Sequence, residues 1–260
     1  MFDININEWI AILLIGPIIG SFAGLLSDRL PAGQSWIFAR SCCQQCGRRL
    51  GIVELVPVFG WFAVRGKCKG CARPVDFFYP LFEITSAGVA LWAALVFEGW
   101  LFWVSCGLGW ALLTLSAADA RHFMLPDKLT LPLIVAGLAF SYAHAPSFLF
   151  HHILGAAIGF TIFYAVSYCY RKIRGREGLG LGDAKLMAGA GAWLGWGGLP
   201  SVVLWGGFSA LIWAIGRGFV SGNKLTGDTA LPFGPFLTLG IWLVWLYGPF
   251  TLSLPFMSGF

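Results

Sequence analysis

Apolar residues in this chain come in long, nearly unbroken runs, not in the short alternating patterns of a water-soluble fold. Most runs hold about 20 residues, the length that an α-helix needs to cross the hydrocarbon core of a bilayer. We expect an all-α integral membrane protein of about eight transmembrane helices. The predicted spans are residues 8–27, 78–97, 99–118, 129–147, 150–169, 184–197, 199–217 and 231–250, of which the sixth is short.

Composition agrees with a membrane protein. Of the 260 residues, 58% are hydrophobic and only 11% are charged, against about 25% charged in soluble domains. The stretch before the first span, MFDININE, contains two acids and no Lys or Arg. It lacks the basic start of a cleaved signal peptide, so we predict a retained first helix.

The distribution of basic residues predicts the topology. All 17 Lys and Arg residues fall in four stretches, 28–77, 119–128, 170–185 and 217–230, which are alternate connections between the predicted spans. Lys and Arg in short loops stay in the cytoplasm, so both termini are expected outside. The basic residues that give the net charge of +5 then set the topology and contact anionic lipid headgroups. Because this accounts for the charge, no nucleic-acid partner is expected.

The chain therefore divides into three predicted regions. Residues 1–27 form the first transmembrane helix, residues 28–77 are a small polar cytoplasmic domain, and residues 78–260 form a seven-helix membrane catalytic domain. Small residues spaced four apart let helix backbones approach closely. This spacing occurs at Gly16, Gly20 and Gly24, and at Gly155 and Gly159.

Four cysteines in the polar domain form a metal-binding pattern. Cys43 and Cys46, then Cys68 and Cys71, are two CxxC pairs with 21 residues between them. Four thiolates suit tetrahedral Zn²⁺ in a closed, structural site, which would let a small domain fold. Disulfides rarely persist in the cytosol, where this domain is predicted to lie, whereas an iron–sulfur cluster stays an alternative. The neighbouring Cys42 is expected to be a bystander, although it could substitute for Cys43.

Acidic residues at the ends of spans are the second candidate for chemistry. A carboxylate in a bilayer is costly and is tolerated where it faces protein or water. Asp119 ends the third span and Asp183 opens the sixth, both on the Lys- and Arg-rich side. Two such groups meeting at one depth share a proton and can activate water, as in aspartic proteases. The competing interpretation is that each caps a helix or pairs with an Arg.

The stretch GLGLGDAKLMAGAG at 178–191 surrounds Asp183. It lacks the spacing of a Walker loop, and Lys185 occupies the last glycine position of a dinucleotide motif. We expect Gly180 and Gly182 to let a peptide backbone or another helix approach Asp183, with Lys185 as a further supporting residue.

Three other polar residues are weaker candidates. Asp127 follows a proline and precedes a span, so it is predicted to cap that helix by accepting backbone N–H bonds. Glu83 lies about one turn into the second span and either pairs with a basic residue of the cytoplasmic domain or neighbours the acid site. His122 is near Asp119, but an interfacial histidine is commonplace and is not expected to act directly.

Together these residues resemble the type IV prepilin leader peptidases, bacterial members of the GxGD aspartyl membrane proteases. The resemblance is carried by Gly180 to Asp183 followed by AKLMAGAGAWLG, by Asp119 before HFMLPDKLTLPL, and by the two CxxC pairs. It covers nearly the whole chain in order. The other matching stretches are GSF at 20–22, RLP at 29–31, LVPVFGWFAVRGKCKGC at 55–71, YPLFE at 79–83 and LPFGPF at 231–236.

The resemblance implies that Asp119 and Asp183 are a catalytic pair. Members of the family cut type IV prepilins and type II secretion pseudopilins after a leader glycine, at the cytoplasmic face of the bacterial inner membrane. Many also methylate the new amino terminus with S-adenosylmethionine. The implied partners are thus prepilin or pseudopilin substrates and the lipid bilayer, with Zn²⁺ and S-adenosylmethionine as cofactors.

The chain departs from the usual family pattern at Gly24, where relatives usually carry Asn, and at Asp76 and Phe78, where they usually read SxRYP. Neither departure touches the Asp pair, but both bear on methyl transfer and on packing of the cytoplasmic domain.

The rival functions are a proton-coupled transporter that uses the interfacial carboxylates, and a non-enzymatic assembly module that docks a secretion machine through the zinc domain.

Overall fold

A computed structural model describes residues 5–35, 41–43, 45–175, 179–221 and 231–250. Gly178 lies outside the described residues. Within them every regular element is helical, and β structure is limited to two isolated bridges. The all-α class predicted from the sequence is therefore confirmed for this part of the chain.

Most helices begin and end near the boundaries of the predicted spans. The helices are α1 (Ile6–Ile10), α2 (Gly16–Arg29), α3 (Phe59–Ala63), α4 (Phe78–Ala94), α5 (Gly99–His122), α6 (Asp127–His144), α7 (Leu149–Arg174), α8 (Leu181–Ser221) and α9 (Gly234–Tyr247). A π-helical turn, Ala11–Ile15, joins α1 to α2, and 3₁₀ turns cover Ile52–Leu55 and Pro146–Phe148. The predicted sixth and seventh spans are both in α8, which is interrupted at Gly195 (φ 68°, ψ 174°).

Four helical segments of the described chain are long and apolar enough to cross a membrane: Ile6–Arg29, Gly99–His122, Pro146–Arg174 and Leu181–Phe219. The shorter apolar helix Gly234–Tyr247 covers the last predicted span. Together these helices make a multi-pass membrane protein. The full number of eight crossings stays a prediction.

The chain forms two compact units, with the boundary between Thr114 and Leu115, inside α5. In the first unit α2 and α4 run antiparallel with their backbones in close contact. A Cβ atom on Gly16 would lie 2.9 Å from Cα of Ala87, and one on Gly20 would lie 2.8 Å from Cα of Glu83. The close approach predicted from the glycine spacing is confirmed for this pair of helices.

In the second unit α7 packs against α8 in the same way. A Cβ atom on Gly155 would lie 2.6 Å from the backbone N of Trp196, and one on Gly159 would lie 2.4 Å from the carbonyl oxygen of Met187. Helix α9 approaches α8 at Gly240, where a Cβ would meet the carbonyl oxygen of Val202 at 2.5 Å. These contacts hold α7 and α9 against α8. The first turns of α8 and α9 carry the polar groups described next.

Candidate active site and metal centre

Asp119 lies in the last turn of α5 and is 7% exposed. Its Oδ2 atom accepts a hydrogen bond of 2.8 Å from the backbone N–H of Gly234, the first residue of α9. The N–H groups at the start of a helix have no partner within the helix and carry a partial positive charge. The beginning of α9 therefore holds one oxygen of this carboxylate in a fixed position.

Gly234 is required at this contact because a side chain would collide with the acid. A Cβ atom on Gly234 would lie 2.7 Å from Oδ2 of Asp119 and 2.9 Å from its Cγ. Reasoning from the sequence missed this residue. The only signal was the stretch LPFGPF, which matched the family without a role assigned to its glycine.

Asp183 lies in the first turn of α8 and is also 7% exposed. Its Oδ2 accepts the N–H of Gly180 at 3.1 Å, and its own N–H donates to the carbonyl oxygen of Gly180 at 3.1 Å. This reciprocal pair fixes the side chain at the helix entrance. The second carboxylate oxygen, Oδ1, is buried and has no hydrogen-bond partner within the described structure. A buried acceptor without a partner is unusual and marks a place where a water or a reacting group can bind.

The structure brings the two predicted acids together. The carboxylate of Asp183 is close enough to that of Asp119 for their charges to interact. Helix α5 ends at a left-handed residue, Phe123 (φ 52°), whose N–H donates to the carbonyl oxygen of Asp119 at 2.8 Å. The chain then turns so that Leu125 packs on Gly182, where a Cβ would meet that of Leu125 at 2.8 Å.

The two glycines therefore have different roles. Gly182 allows Leu125 to pack closely on α8, whereas Gly180 donates its N–H to the Asp183 carboxylate. A Cβ on Gly180 would lie 3.5 Å from Oδ2 of Asp183, an ordinary contact, and Gly180 is exposed. Backbone at this position is thus open to an approaching chain, whereas backbone at Gly182 is covered by Leu125.

The prediction that Asp127 caps α6 is wrong. Asp127 is the first residue of that helix, and the cap position, Pro126, makes no side-chain cap bond. Its Oδ1 instead accepts a bond of 2.5 Å from Nζ of Lys185. A charged amine two residues after Asp183 offers a stronger, charge-assisted partner than backbone N–H groups do. This ion pair joins the beginning of α6 to the beginning of α8.

Glu83 is buried in α4 in the first unit. Its Oε2 accepts a bond of 2.6 Å from the backbone N–H of Val58, and its carboxylate also bonds to the side chain of Ser21. The described partners are therefore a backbone amide and a hydroxyl, in place of the basic residue that the sequence suggested.

The four predicted cysteine ligands form one cluster. The sulfur atoms of Cys43, Cys46, Cys68 and Cys71 all lie within 4.8 Å of one another. Two pairs, Cys43 with Cys71 and Cys46 with Cys68, are 3.9 Å apart. A tetrahedral zinc with bonds of about 2.3 Å separates its sulfurs by about 3.8 Å. The cluster could therefore hold a metal ion and is compatible with zinc.

The two CxxC pairs have the same local architecture. The N–H of Cys43 donates to the carbonyl of Arg48 and the N–H of Cys68 to that of Arg73, both at 2.9 Å. A left-handed residue follows each pair, Gly47 (φ 68°) and Ala72 (φ 57°). Each turn therefore presents two sulfurs to a common centre.

Backbone amides and a guanidinium favour the thiolate form of Cys68, whereas the surroundings of Cys46 favour the thiol. The amides of Cys71 and Gly70 lower the pKa of Cys68 to about 6, with the Gly70 N–H 3.3 Å from the sulfur. Arg48 also bonds to the Cys68 side chain, while its Nη2 donates to Oε1 of Glu54 at 2.5 Å. At Cys46 the amide of Arg48 acts to lower the pKa, but desolvation and the neighbouring sulfurs outweigh it and raise the pKa to about 11. A metal ion removes this competition between thiols, because it binds all four as thiolates.

The described residues thus define a helical membrane protein with a buried pair of acids at helix ends and a separate four-cysteine cluster. Comparison with known proteins identifies the family. Residues 14–97 match the model for the bacterial peptidase A24 N-terminal domain, and residues 106–215 match the type IV leader peptidase family. No solved structure matches the chain.

Curated relatives carry the name prepilin leader peptidase/N-methyltransferase. The one from Aeromonas hydrophila is 32% identical over 91% of this chain and 90% of its own length. The one from Burkholderia pseudomallei (strain K96243) is 38% identical over 87% of this chain and 74% of its own length. A third, from Pseudomonas aeruginosa, is 31% identical over 91% and 89%. The chain belongs to the type IV leader peptidase family and is a peptidase.

Proposed function

We propose that this protein is an intramembrane aspartyl endopeptidase that removes leader peptides from type IV prepilins or type II secretion pseudopilins. The observation that carries the proposal is the pair of buried carboxylates, Asp119 and Asp183, whose charges interact across helix ends of one compact unit. The relatives' names supply the substrate class. A bilayer-embedded enzyme with this substrate belongs in the bacterial inner membrane.

The proposed reaction uses one water held between the two acids. Two carboxylates in close contact share one proton, so one is ionised while the other is protonated. The ionised carboxylate takes a proton from water, and the oxygen attacks the peptide carbonyl carbon. The protonated acid gives its proton to the leaving nitrogen, the C–N bond breaks, and no covalent intermediate with the enzyme forms.

The hydrogen bonds at the site support a division of tasks between the acids. Asp119 has one oxygen held by the Gly234 amide, whereas Asp183 has Oδ1 buried and without a partner. A water between the two carboxylates can donate to that oxygen. The exposed backbone at Gly180 and the ion pair of Lys185 with Asp127 border the same helix entrance and are proposed to support the bound leader.

The active site is proposed to face the cytoplasm. The Lys and Arg residues within 119–128 and 170–185, around the ends of α5 and α7, support this orientation, because such residues are retained on the inner side of the membrane. Asp119 and Asp183 flank two of these connections. A cytoplasmic site also suits a substrate whose leader precedes a membrane helix.

The cysteine cluster is proposed to bind Zn²⁺ as a structural ion. Cys43, Cys46, Cys68 and Cys71 provide four sulfur ligands and leave no open position for a substrate. Bound zinc would tie the two turns together and stabilise a segment with few regular elements.

N-methylation of the new amino terminus is the second part of the proposal and rests on the relatives' names. S-adenosylmethionine would supply the methyl group. The two departures from the family pattern in the first unit are neighbours, since a Cβ on Gly24 would lie 3.8 Å from Cε1 of Phe78. They form a single local change, in which the Phe78 ring borders the space that an Asn side chain would occupy at position 24.

The test of the peptidase uses the purified protein in vesicles with a synthetic prepilin whose leader ends in glycine. Asp119→Asn and Asp183→Asn should each lower cleavage by about 10³-fold or more while metal content stays unchanged. Glu98→Gln is the matched control, because this acid is exposed between α4 and α5. Cleavage that survives either Asn change would contradict the proposal and reopen the transporter alternative, which has no support from the relatives.

The test of methyl transfer offers the same protein a precleaved substrate and labelled S-adenosylmethionine. Label should appear on the new amino terminus, and the two Asn variants should retain this activity. Absence of label would remove the methyltransferase part and leave the peptidase part intact.

A further inference from the structure

A stretch of the first unit presents an uncharged apolar surface. Residues 51–62, GIVELVPVFGWF, hold the 3₁₀ turn Ile52–Leu55 and helix α3. Ile52 is 87% exposed and Phe59 is 75% exposed. We call this surface the 51–62 face; its exposed members are Ile52, Val53, Leu55, Val56, Phe59 and Phe62.

The 51–62 face is one continuous surface because its two short helices pack on each other. A Cβ on Gly60 would lie 2.6 Å from the carbonyl oxygen of Glu54. Glu54, the one charged residue of the stretch, points inward: its side chain is 7% exposed, bonds to Arg48 and accepts the N–H of Gly51. No charged side chain of the stretch itself is therefore exposed among the apolar ones.

A hydrogen bond fixes this stretch to the beginning of α4, the second of the spans predicted from the sequence. Val58 donates its N–H to Oε2 of Glu83 at 2.6 Å. Glu83 is five residues into α4, so its Cα is about 7.5 Å along the helix from Phe78 at roughly 1.5 Å per residue. Glu83 in turn packs on Gly20, well inside the membrane-crossing segment Ile6–Arg29. The stretch therefore lies at the level of the first turns of α4.

The backbone at Val58 is in a conformation that needs this support. Val58 has φ 62° and ψ −59°, and the N–H of Phe59 donates to the carbonyl oxygen of Pro57 at 2.6 Å. These values define a γ-turn of the rare, strained kind, which a β-branched residue adopts only when its surroundings impose it. The buried Glu83 carboxylate accepts the N–H of Val58 and so helps to hold this turn.

Aromatic contacts continue the 51–62 face onto α4. The ring of Trp61 contacts those of Phe62 and Phe77 at centroid distances of 5.3 and 5.4 Å. Phe77 is 54% exposed, and Leu81 and Ile84 continue the exposed apolar side of α4. Aromatic rings at the end of a membrane helix are typical of the boundary between lipid and water.

The residues that flank the stretch in sequence are basic. Arg48 and Arg49 precede it, and Arg65 and Lys67 follow it. Basic side chains beside an apolar surface favour anionic lipid headgroups.

We propose that the 51–62 face lies in the lipid bilayer, at the boundary between headgroups and acyl chains in the leaflet where α2 ends and α4 begins. Its occupant is phospholipid. The polar domain predicted at 28–77 is then in part a membrane-surface element. Glu83 positions it by holding the Val58 amide. The inference does not depend on which reaction the acid pair catalyses.

The test replaces single residues of the full-length protein with the photoreactive amino acid p-benzoylphenylalanine and reconstitutes each variant in phospholipid vesicles. Position 59 is the probe, Ile18 is the lipid-facing reference at 57% exposure in a membrane-crossing segment, and the exposed Lys69 is the reference in water. Exchanging one exposed aromatic ring for another at position 59 preserves packing, which the metal content checks. Lipid adducts are measured by mass spectrometry after illumination.

The yield of lipid adduct at position 59 should be within about twofold of that at position 18 and at least about tenfold above that at position 69. A yield at position 59 no higher than at position 69 would overturn the proposal. Adducts to an added prepilin in place of lipid would overturn it as well, since the surface would then bind protein.

Discussion

The cysteine cluster and the acid pair are assembled in different ways. Each cysteine turn is closed by bonds between neighbours in sequence, such as the Cys68 N–H to the Arg73 carbonyl. The acid pair needs the end of α5, the beginning of α8 and the beginning of α9, which are far apart in the chain. A local site is specified by spacing, whereas a dispersed one depends on helix packing. Substitutions should therefore damage one region and spare the other.

Removing a metal ligand is expected to give the largest effect on the cysteine cluster while sparing the acid pair. Cys68→Ser should weaken metal binding by about 10²- to 10³-fold, because one of four thiolates is lost from a site whose binding energy depends on all of them. Competition with a chromogenic chelator measures the affinity. Cys106→Ser, at a buried cysteine outside the cluster, is the matched control. An unchanged affinity in Cys68→Ser would contradict assignment of this residue as a ligand.

The opposite pattern, damage to the acid pair with the cysteine cluster spared, is expected at Gly234. Gly234→Ala places a methyl group 2.7 Å from Oδ2 of Asp119, so it should displace the carboxylate and lower cleavage by about 10²-fold without changing metal affinity. Gly207→Ala is the control, because a Cβ there meets nothing within 4 Å. Equal activity of the two variants would show that the position of Asp119 does not depend on this contact.

A smaller effect is expected beside the cluster. Arg48 offsets the negative charge of the thiolates through its contact with Cys68, so Arg48→Gln should weaken metal binding by about tenfold. Arg49→Gln, at an exposed neighbour, should leave the affinity unchanged. Chelator competition checks both, and equal affinities in the two variants would remove Arg48 from any role at the metal.

Much of this fold could be predicted because the relevant signals are local. The apolar runs predicted the helices, and the CxxC pairs predicted the sulfur cluster. The glycine spacing predicted a close approach of helix backbones, which occurs between α2 and α4 at Gly20. Each of these signals is carried by residues that are close together in the sequence, although the contacts themselves join distant ones.

The contacts that could not be predicted from the sequence join residues that are far apart in the chain. The Gly234 amide reaches Asp119 only after α9 packs on α8. Asp127 appeared suited to a helix cap, but tertiary packing offers it Lys185 instead. The interruption of α8 falls at Gly195, three residues before the predicted break, because a left-handed glycine is tolerated there.

The most direct test of the central claim measures kcat/KM for Asp119→Asn, Asp183→Asn and the double variant on the same prepilin in vesicles. Two residues that act as a unit give losses that do not multiply. We predict that each single variant falls by about 10³-fold or more and that the double variant is within about tenfold of either. A double variant whose loss equals the product of the single losses, or a single variant that stays active, would contradict the account.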